Sequence, residues 1–209
     1  MGTIKPKIKI CGIKNLAEAK SVLECDFNGV KVDFLGLIFA ESKRKVTPEI
    51  AKEISNLVHK FGRKSVGVFT DTSDDEILEI CNFANLNAAQ IYKEISPNLK
   101  QNLANIGVEA WQVVCVKDKI PSLKNLNYDK ILFDYKGEKM GGNGQSFEWK
   151  MLKNLQIPFI LAGGIGVENV KEALNLGAFC LDINSKVEDE NGIKDPEKIT
   201  QILKIIAVA

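Results

Sequence analysis

The chain contains 209 residues, of which 45% are hydrophobic, and its 28 basic and 27 acidic residues give a formal net charge of +1. A chain of this length and composition can bury one sizeable core, and its charge gives no electrostatic reason to expect nucleic acid or an anionic membrane as a partner. The five cysteines are scattered and form no CxxC pair, which fits a reducing compartment. The amino terminus lacks the apolar segment of a signal peptide, and no apolar run is long enough to span a membrane, so we expect a cytoplasmic protein.

The first predicted strand covers Lys7 to Cys11, where basic and branched apolar residues alternate. It ends at a thiol followed by Gly12, and Asn15 is a suitable cap for the helix that comes next. A strand that runs into a helix is half of a βαβ unit, and such units bind ligands at the carboxyl ends of their strands. Cys11 therefore lies where chemistry is expected, although a buried small thiol is the more frequent meaning of a cysteine in this setting.

Seven further strand segments alternate with helical segments, and they begin near residues 34, 64, 88, 109, 130, 158 and 179. The helix signals are clear after Thr47, Ser73 and Ser96, weak over 121–127 and short over 149–154. Two more helices are predicted, one opened by residues 163–166 and one with its apolar positions over 199–206. Eight evenly spaced units predict an α/β fold with one domain over residues 1–209, a single (β/α)₈ TIM barrel. An open doubly wound sheet is the alternative if a weak unit is not real.

His59 is the one histidine of the chain. It lies off the apolar stripe of the helix that begins after Thr47, so we expect it on the solvated surface. Mechanisms that need a histidine base, a histidine metal ligand or a Ser-His-Asp triad therefore lose their main component.

Two groups able to transfer protons follow predicted strands, Cys11 after the first and Asp134 after the sixth. A barrel brings the carboxyl ends of all its strands to one face, so these two side chains are expected to share a site. Asp134 taken alone could equally cap a helix or a loop. The polar loop from Tyr135 to Ser146 contains four glycines and is predicted to be a mobile lid.

Anion-binding candidates occur at two places on the same face. Gly163 and Gly164 follow the seventh predicted strand, and Asp182 to Ser185 end the eighth; loops at these two positions are the usual phosphate site of a barrel. A glycine pair is also typical of a plain tight turn. Arg44 lies in the charged run 41–45, where it could clamp a carboxylate or simply be part of a solvated surface.

Several segments stand in a characteristic order along the chain: Lys9–Ile13, Ser42–Arg44 with Thr47–Glu49, Val66–Phe69, Asp134 before Gly141–Phe147, Leu161–Gly164 with Glu168–Val170, and Asp182–Ser185. Together they resemble the phosphoribosylanthranilate isomerase family of tryptophan biosynthesis, from about residue 7 to the last helix. The resemblance implies an Amadori rearrangement of N-(5-phosphoribosyl)anthranilate without metal or cofactor. The expected partner is the small-molecule phosphoribosyl anthranilate substrate, and the residues leave both a monomer and a homodimer open.

The resemblance further implies a role for each candidate. Cys11 would be the general base, Asp134 the general acid and Arg44 the anchor of the anthranilate carboxylate, while Asp182 would line the pocket. The phosphate site would include three residues: Gly163, Gly164 and Ser185. Such an acid–base pair needs a lowered thiol pKa and a raised carboxyl pKa, and it predicts a pH profile whose acidic limb reports the thiol.

The chain departs from the family pattern in three places. Tyr92-Lys93 stands where His-Gly is usual, Asn184–Glu188 replaces a Ser-Ser-Gly-Val-Glu run, and Tyr135 replaces a threonine. Two other functions therefore remain open on the residues alone. One is a related sugar-phosphate isomerase of histidine biosynthesis, which would have an aspartate where Cys11 stands, and the other is a non-catalytic barrel that binds a phosphorylated ligand.

Overall fold

The computed structural model describes residues 5–135, 137 and 146–209 of the chain. Its parallel strands form a closed barrel in which the first strand pairs with both the second and the last. The strands are β1 (Lys7–Cys11), β2 (Phe34–Ile38), β3 (Lys64–Phe69), β4 (Ala88–Ile91), β5 (Glu109–Val116), β6 (Lys130–Tyr135), β7 (Phe159–Leu161) and β8 (Cys180–Ile183). The predicted (β/α)₈ barrel is confirmed, and the pairing of β1 with β8 rules out the open sheet.

Helices cover the outside of the barrel. They are α1 (Leu16–Leu23), α2 (Pro48–Lys60), α3 (Asp74–Phe83), α4 (Pro97–Asn105), α5 (Val170–Leu174) and α6 (Pro196–Val208). The predicted caps are present, because Asn15, Thr47, Ser73 and Ser96 each accept a hydrogen bond from a backbone N–H three residues on. Within the described part of the chain no helix has the length and apolar character needed to cross a bilayer.

The barrel lumen is filled in layers. Near its base the rings of Phe34 and Trp111 meet edge to face with their centroids 5.2 Å apart. Above them Cys11, Ile38 and Val68 form a small apolar cluster that supports the carboxyl-end face. Because the lower lumen is packed with side chains, the described residues leave space for a ligand at the carboxyl ends of the strands.

Two local predictions differ from the structure, and one hairpin was not predicted. Residues 121–127 form no helix; Pro121 lies in irregular chain and Asn125 has a positive φ of 63°, and β5 nevertheless pairs with β6 over six residues. Strands Asp26–Phe27 and Val30–Lys31 form an antiparallel hairpin that was not predicted. The dipeptide Asn28-Gly29 between them is typical of a two-residue hairpin turn and could have indicated it. His59 is half buried, because its Nε2 lies 2.8 Å from Oδ1 of Asn87.

Candidate active site

A cavity of about 470 Å³ opens at the carboxyl ends of the strands. Every site residue predicted from the sequence lines it, namely Cys11, Arg44, Asp134, Gly163, Gly164, Asp182 and Ser185. These residues come from strands and loops that are far apart in the sequence, and barrel closure brings them together. The lid predicted for residues 135–146 falls largely outside the described residues.

Cys11 ends β1 and is 5% exposed in the cavity floor. Directly below it Lys9, on the same face of the strand, is completely buried, and its Nζ donates to both carboxylate oxygens of Asp182 at 2.8 Å. Burial raises the pKa of the Cys11 thiol, and the Lys9 ammonium opposes that rise. The net effect is a raised thiol pKa, whereas efficient base catalysis requires the pKa to be lowered.

Asp134 projects from β6 and is 7% exposed. Its Oδ1 accepts the backbone N–H of Tyr135 and its Oδ2 accepts the hydroxyl of Tyr92, both at 2.8 Å. Burial raises the pKa of this carboxyl group above its ordinary value, although the two hydrogen bonds work in the opposite direction. The shift is the one that a general acid requires.

Arg44 is buried, unlike its exposed neighbours Lys43 and Lys45, so it does not belong to a solvated charge run. Its Nε donates to Oε1 of Glu188 at 2.5 Å and its Nη2 to Oε2 at 2.7 Å. Lys194 approaches the same carboxylate at 2.8 Å. Burial alone would raise the pKa of Glu188, but the two cations hold it at about 2. The cluster carries one net positive charge.

The Arg44–Glu188 pair determines which side of the guanidinium is available to a ligand. Among the described residues, Glu188 is the one hydrogen-bond partner of the Arg44 side chain, and it occupies the Nε/Nη2 edge. A guanidinium has five N–H donors, so the Nη1/Nη2 edge keeps a second pair of donors for a carboxylate.

The loops after β7 and β8 border the cavity on another side. Gly163 and Gly164 have positive φ angles of 93° and 66°, a conformation that glycine adopts without steric cost. The Asn169 side chain stabilises this turn: its Oδ1 accepts a hydrogen bond from the N–H of Gly166 at 2.8 Å, and its Nδ2 donates one to the carbonyl of Gly164 at 2.9 Å. The two loops are joined by an ion pair of 2.8 Å between Lys186 and Glu168.

Sequence reasoning missed four polar groups of this site. They are Lys9, Gln90, Glu188 and Lys194, all buried. The alternation of β1 places Lys9 on the face of Cys11, which was a readable signal. Gln90 lies in the cavity wall, and its Oε1 is buried without a hydrogen-bond partner in the described part of the protein. Tyr92 was noted only as a departure from a pattern, yet it contacts Asp134.

The closed barrel, with a thiol, a buried carboxylic acid and basic groups around one cavity, defines an acid–base enzyme of the (β/α)₈ class that accepts a small anionic substrate. A family model described as N-(5'phosphoribosyl)anthranilate (PRA) isomerase matches residues 8–205. The chain belongs to the phosphoribosylanthranilate isomerase family. The resemblance found in its motifs is therefore confirmed.

Individual relatives agree over nearly the whole chain. The N-(5'-phosphoribosyl)anthranilate isomerase of Campylobacter jejuni is 44% identical over 198 residues, which are 95% of this chain and 97% of that protein. The crystal structure of the phosphoribosyl anthranilate isomerase of Thermus thermophilus has a TM-score of 0.82 and 28% identity, with 97% of this chain and 98% of that one covered.

A further solved structure contains a ligand. It is a phosphoribosyl anthranilate isomerase in complex with reduced 1-(o-carboxyphenylamino)-1-deoxyribulose 5-phosphate, with a TM-score of 0.76 and 27% identity over 98% of this chain and all of that one. The activity of the present chain is that of its family, the isomerisation of N-(5-phosphoribosyl)anthranilate in tryptophan biosynthesis. It is an aldose–ketose type isomerase, and a histidine-biosynthesis isomerase or a non-catalytic barrel is not supported.

Proposed function

We propose that Cys11 and Asp134 carry out this isomerisation as general base and general acid. Asp134 gives its proton to the ribose ring oxygen while the amine nitrogen lone pair expels that oxygen from C1, which opens the ring to an iminium ion. Cys11 as thiolate then removes the proton from C2, and the resulting enolamine tautomerises to the ketone. One acid and one base on different sides of the substrate are sufficient for both proton transfers.

The proposal rests above all on one observation: the thiol and the buried carboxylic acid line the same cavity, from β1 and β6. In the closed barrel these strands are separated by β7 and β8, so the two groups approach a bound molecule from different directions. The raised pKa of Asp134 supports its part as proton donor.

We further propose that the substrate is held at its two anionic ends. The free Nη1/Nη2 edge of Arg44 fits the anthranilate carboxylate, because a guanidinium binds a carboxylate through two parallel hydrogen bonds. The backbone of Gly163 and Gly164 together with Ser185 fits the phosphate, and Asp182 borders the sugar. A phosphate at these loops and a carboxylate at Arg44 would place the sugar across the cavity floor.

The variants Cys11→Ala and Asp134→Asn test the acid–base assignment. Each is expected to lower kcat on the order of 10² to 10⁴-fold with little change in KM, because proton transfer stabilises the transition state far more than the bound substrate. Cys81→Ala, which removes a buried thiol of the outer core, is the matched control and should retain kcat. A Cys11→Ala protein with near-normal kcat would refute the proposal.

We also infer a cytoplasmic location. Cys11, Cys25, Cys81 and Cys180 are free thiols, which fits a reducing compartment and a biosynthetic enzyme. With a net charge of +1, neither nucleic acid nor an anionic membrane is proposed as a partner. Fractionation of the native cells with detection of the enzyme tests this location, and recovery outside the cytoplasmic fraction would contradict it.

A further inference from the structure

The Lys9 side chain is an ammonium group enclosed in the barrel beneath the cavity. It is 0% exposed, and its Nζ lies 2.8 Å from both Oδ1 and Oδ2 of Asp182. The two residues are directly opposite in the register of β1 and β8. Burial lowers the pKa of Lys9, but attraction to Asp182 and Cys11 together outweighs burial and raises the pKa, so the ammonium remains charged.

This ammonium lies next to the Cys11 thiol. The two residues are two positions apart on β1, so their side chains project to the same face of the strand. Gly36 of β2 lies opposite Cys11 in register, and a Cβ atom at that glycine would be 2.8 Å from Cys11 Sγ and 2.9 Å from Lys9 Nζ. The thiol and the ammonium therefore lie next to each other, on either side of the space that a side chain at Gly36 would fill.

A buried thiol can hold a negative charge only if a nearby positive charge compensates for the lost solvation. Each cation that acts on Cys11 is itself paired with a carboxylate: Arg44 and Lys194 hydrogen bond to Glu188, and Lys9 hydrogen bonds to Asp182. Among these cations, Lys9 exerts the strongest attraction on a Cys11 thiolate. The charged or titratable groups that face Cys11 from the elements around it are Lys9, Arg44, Tyr92, Asp182 and Lys194.

We propose that Lys9 is a positioning residue that stabilises the negative charge of Cys11, and that Asp182 limits how much of the ammonium charge acts on the sulfur. This inference rests on the proposed role of Cys11 as general base. It assigns the Lys9–Asp182 pair a task beyond packing: the pair sets the proton affinity of the base.

The two members of the pair should shift the Cys11 pKa in opposite directions. Lys9→Met removes the stabilising cation, so the Cys11 pKa should rise by about one unit or more. Asp182→Asn removes the anion that competes for the ammonium, so the pKa should fall. Thiolate absorbance, titrated as the difference from the Cys11→Ala protein, measures the pKa of this one thiol against the background of the other four cysteines.

Alkylation by iodoacetamide at neutral pH gives a second readout. The rate at Cys11 should fall several-fold in Lys9→Met and rise in Asp182→Asn, because the thiolate fraction changes more than the nucleophilicity of the thiolate. Lys7→Met is the matched control: Lys7 lies on the same strand but is exposed and pairs with Asp33, so the Cys11 titration should not move.

Lys9→Met leaves Asp182 buried without its cation, which can prevent folding. The double variant Lys9→Met/Asp182→Asn removes both charges together and should fold, with the Cys11 pKa above that of Asp182→Asn alone. Folded variants in which removal of Lys9 leaves the Cys11 titration unchanged would overturn the inference. The proposed role of Cys11 as base is tested separately, because a near-normal kcat in Cys11→Ala would refute it. That result would not change the expected shifts of the Cys11 pKa in the Lys9 and Asp182 variants.

Discussion

The hydroxyl of Tyr92 donates a hydrogen bond of 2.8 Å to Oδ2 of Asp134. Burial raises the pKa of the Tyr92 phenol well above its ordinary value, and the Asp134 carboxylate adds to that rise, so the phenol remains a donor. A donor at this position stabilises the ionised carboxyl group more than the protonated one. Tyr92 therefore controls how readily Asp134 gives up its proton.

Tyr92→Phe should consequently raise the pKa of Asp134 by about one unit, because it removes one hydrogen bond to a charged acceptor. Infrared titration of the protonated carboxyl band measures this pKa, with the band assigned by its loss in Asp134→Asn. Tyr128→Phe removes a hydroxyl outside the cavity and is the control. An unchanged Asp134 band in Tyr92→Phe would show that the hydrogen bond does not tune the acid.

The pH profile should reverse the assignment expected from the sequence. Burial raises the pKa of both groups, and the ordinary value of the thiol, 9.0, far exceeds the 3.8 of the carboxyl group, so Asp134 titrates first. With Cys11 as the proposed base and Asp134 as the proposed acid, the reactive form has a thiolate and a protonated carboxyl group and is a minority. We therefore expect kcat/KM to break at the Asp134 pKa on the acidic side. Tyr92→Phe should move that acidic break upward and leave the alkaline break in place.

Arg44→Lys should lower kcat/KM for the carboxylated substrate by about 10- to 100-fold, because an ammonium cannot reproduce the paired donors of the guanidinium edge. For an analogue with a phenyl ring in place of the carboxyphenyl ring, the same substitution should lower kcat/KM much less. Lys45→Gln, at an exposed position of the same run, should affect neither compound. Equal losses for both compounds in Arg44→Lys would remove Arg44 from carboxylate recognition.

Gly164→Ala tests the phosphate loop. Alanine at a φ of 66° costs roughly 1–2 kcal/mol and places a methyl group where the backbone should approach the phosphate, so KM should rise. Gly177→Ala is a control for strain, because Gly177 has a φ of 68° but a Cβ there meets open space away from the cavity. Similar thermal destabilisation of both variants with a raised KM in Gly164→Ala alone is expected. Equal KM values would contradict the assignment.

Glu188 should make stability depend on acidity. Its pKa of about 2 is depressed from 4.5, so its contribution is complete above pH 4.5 and is lost as the pH falls toward 2. In urea unfolding at pH 7, the free energy of unfolding of Glu188→Gln should be about 2–3 kcal/mol lower than that of the original protein. Below pH 4.5 the free energy of unfolding of this variant should also depend less on pH. Glu168→Gln breaks the exposed pair with Lys186 and should cost less than about 1 kcal/mol. Equal losses of unfolding free energy in Glu188→Gln and Glu168→Gln would show that burial does not strengthen the contribution of Glu188.

The barrel was predictable because its signals are local. Alternation in β1, continuous apolar runs in β2 and caps such as Thr47 each depend on a few neighbouring residues. The absence of a helix over 121–127 could not be predicted in the same way. β5 and β6 pair without an intervening helix, and this pairing is a contact between two separate segments that neither segment encodes alone. The family resemblance fixed the activity, whereas composition alone left it open.

The candidate site was predictable only in part. Cys11 and Asp134 follow strands and could be located from the sequence, but the partners that control them come from other strands. Tyr92, the residue after β4, contacts Asp134, and Asp182 of β8 contacts Lys9. Pairings across such distances in the chain follow from barrel closure and strand register, which no local pattern encodes.

The Lys9–Asp182 pair also spans the seam where the first and last strands of the barrel meet. The environment of Cys11 is therefore completed only when β8 docks against β1, at the end of synthesis of the barrel. Before this pairing forms, Lys9 and Asp182 are not held together beside Cys11. On the role proposed for Lys9, the strand pairing that closes the barrel therefore also sets the proton affinity of Cys11.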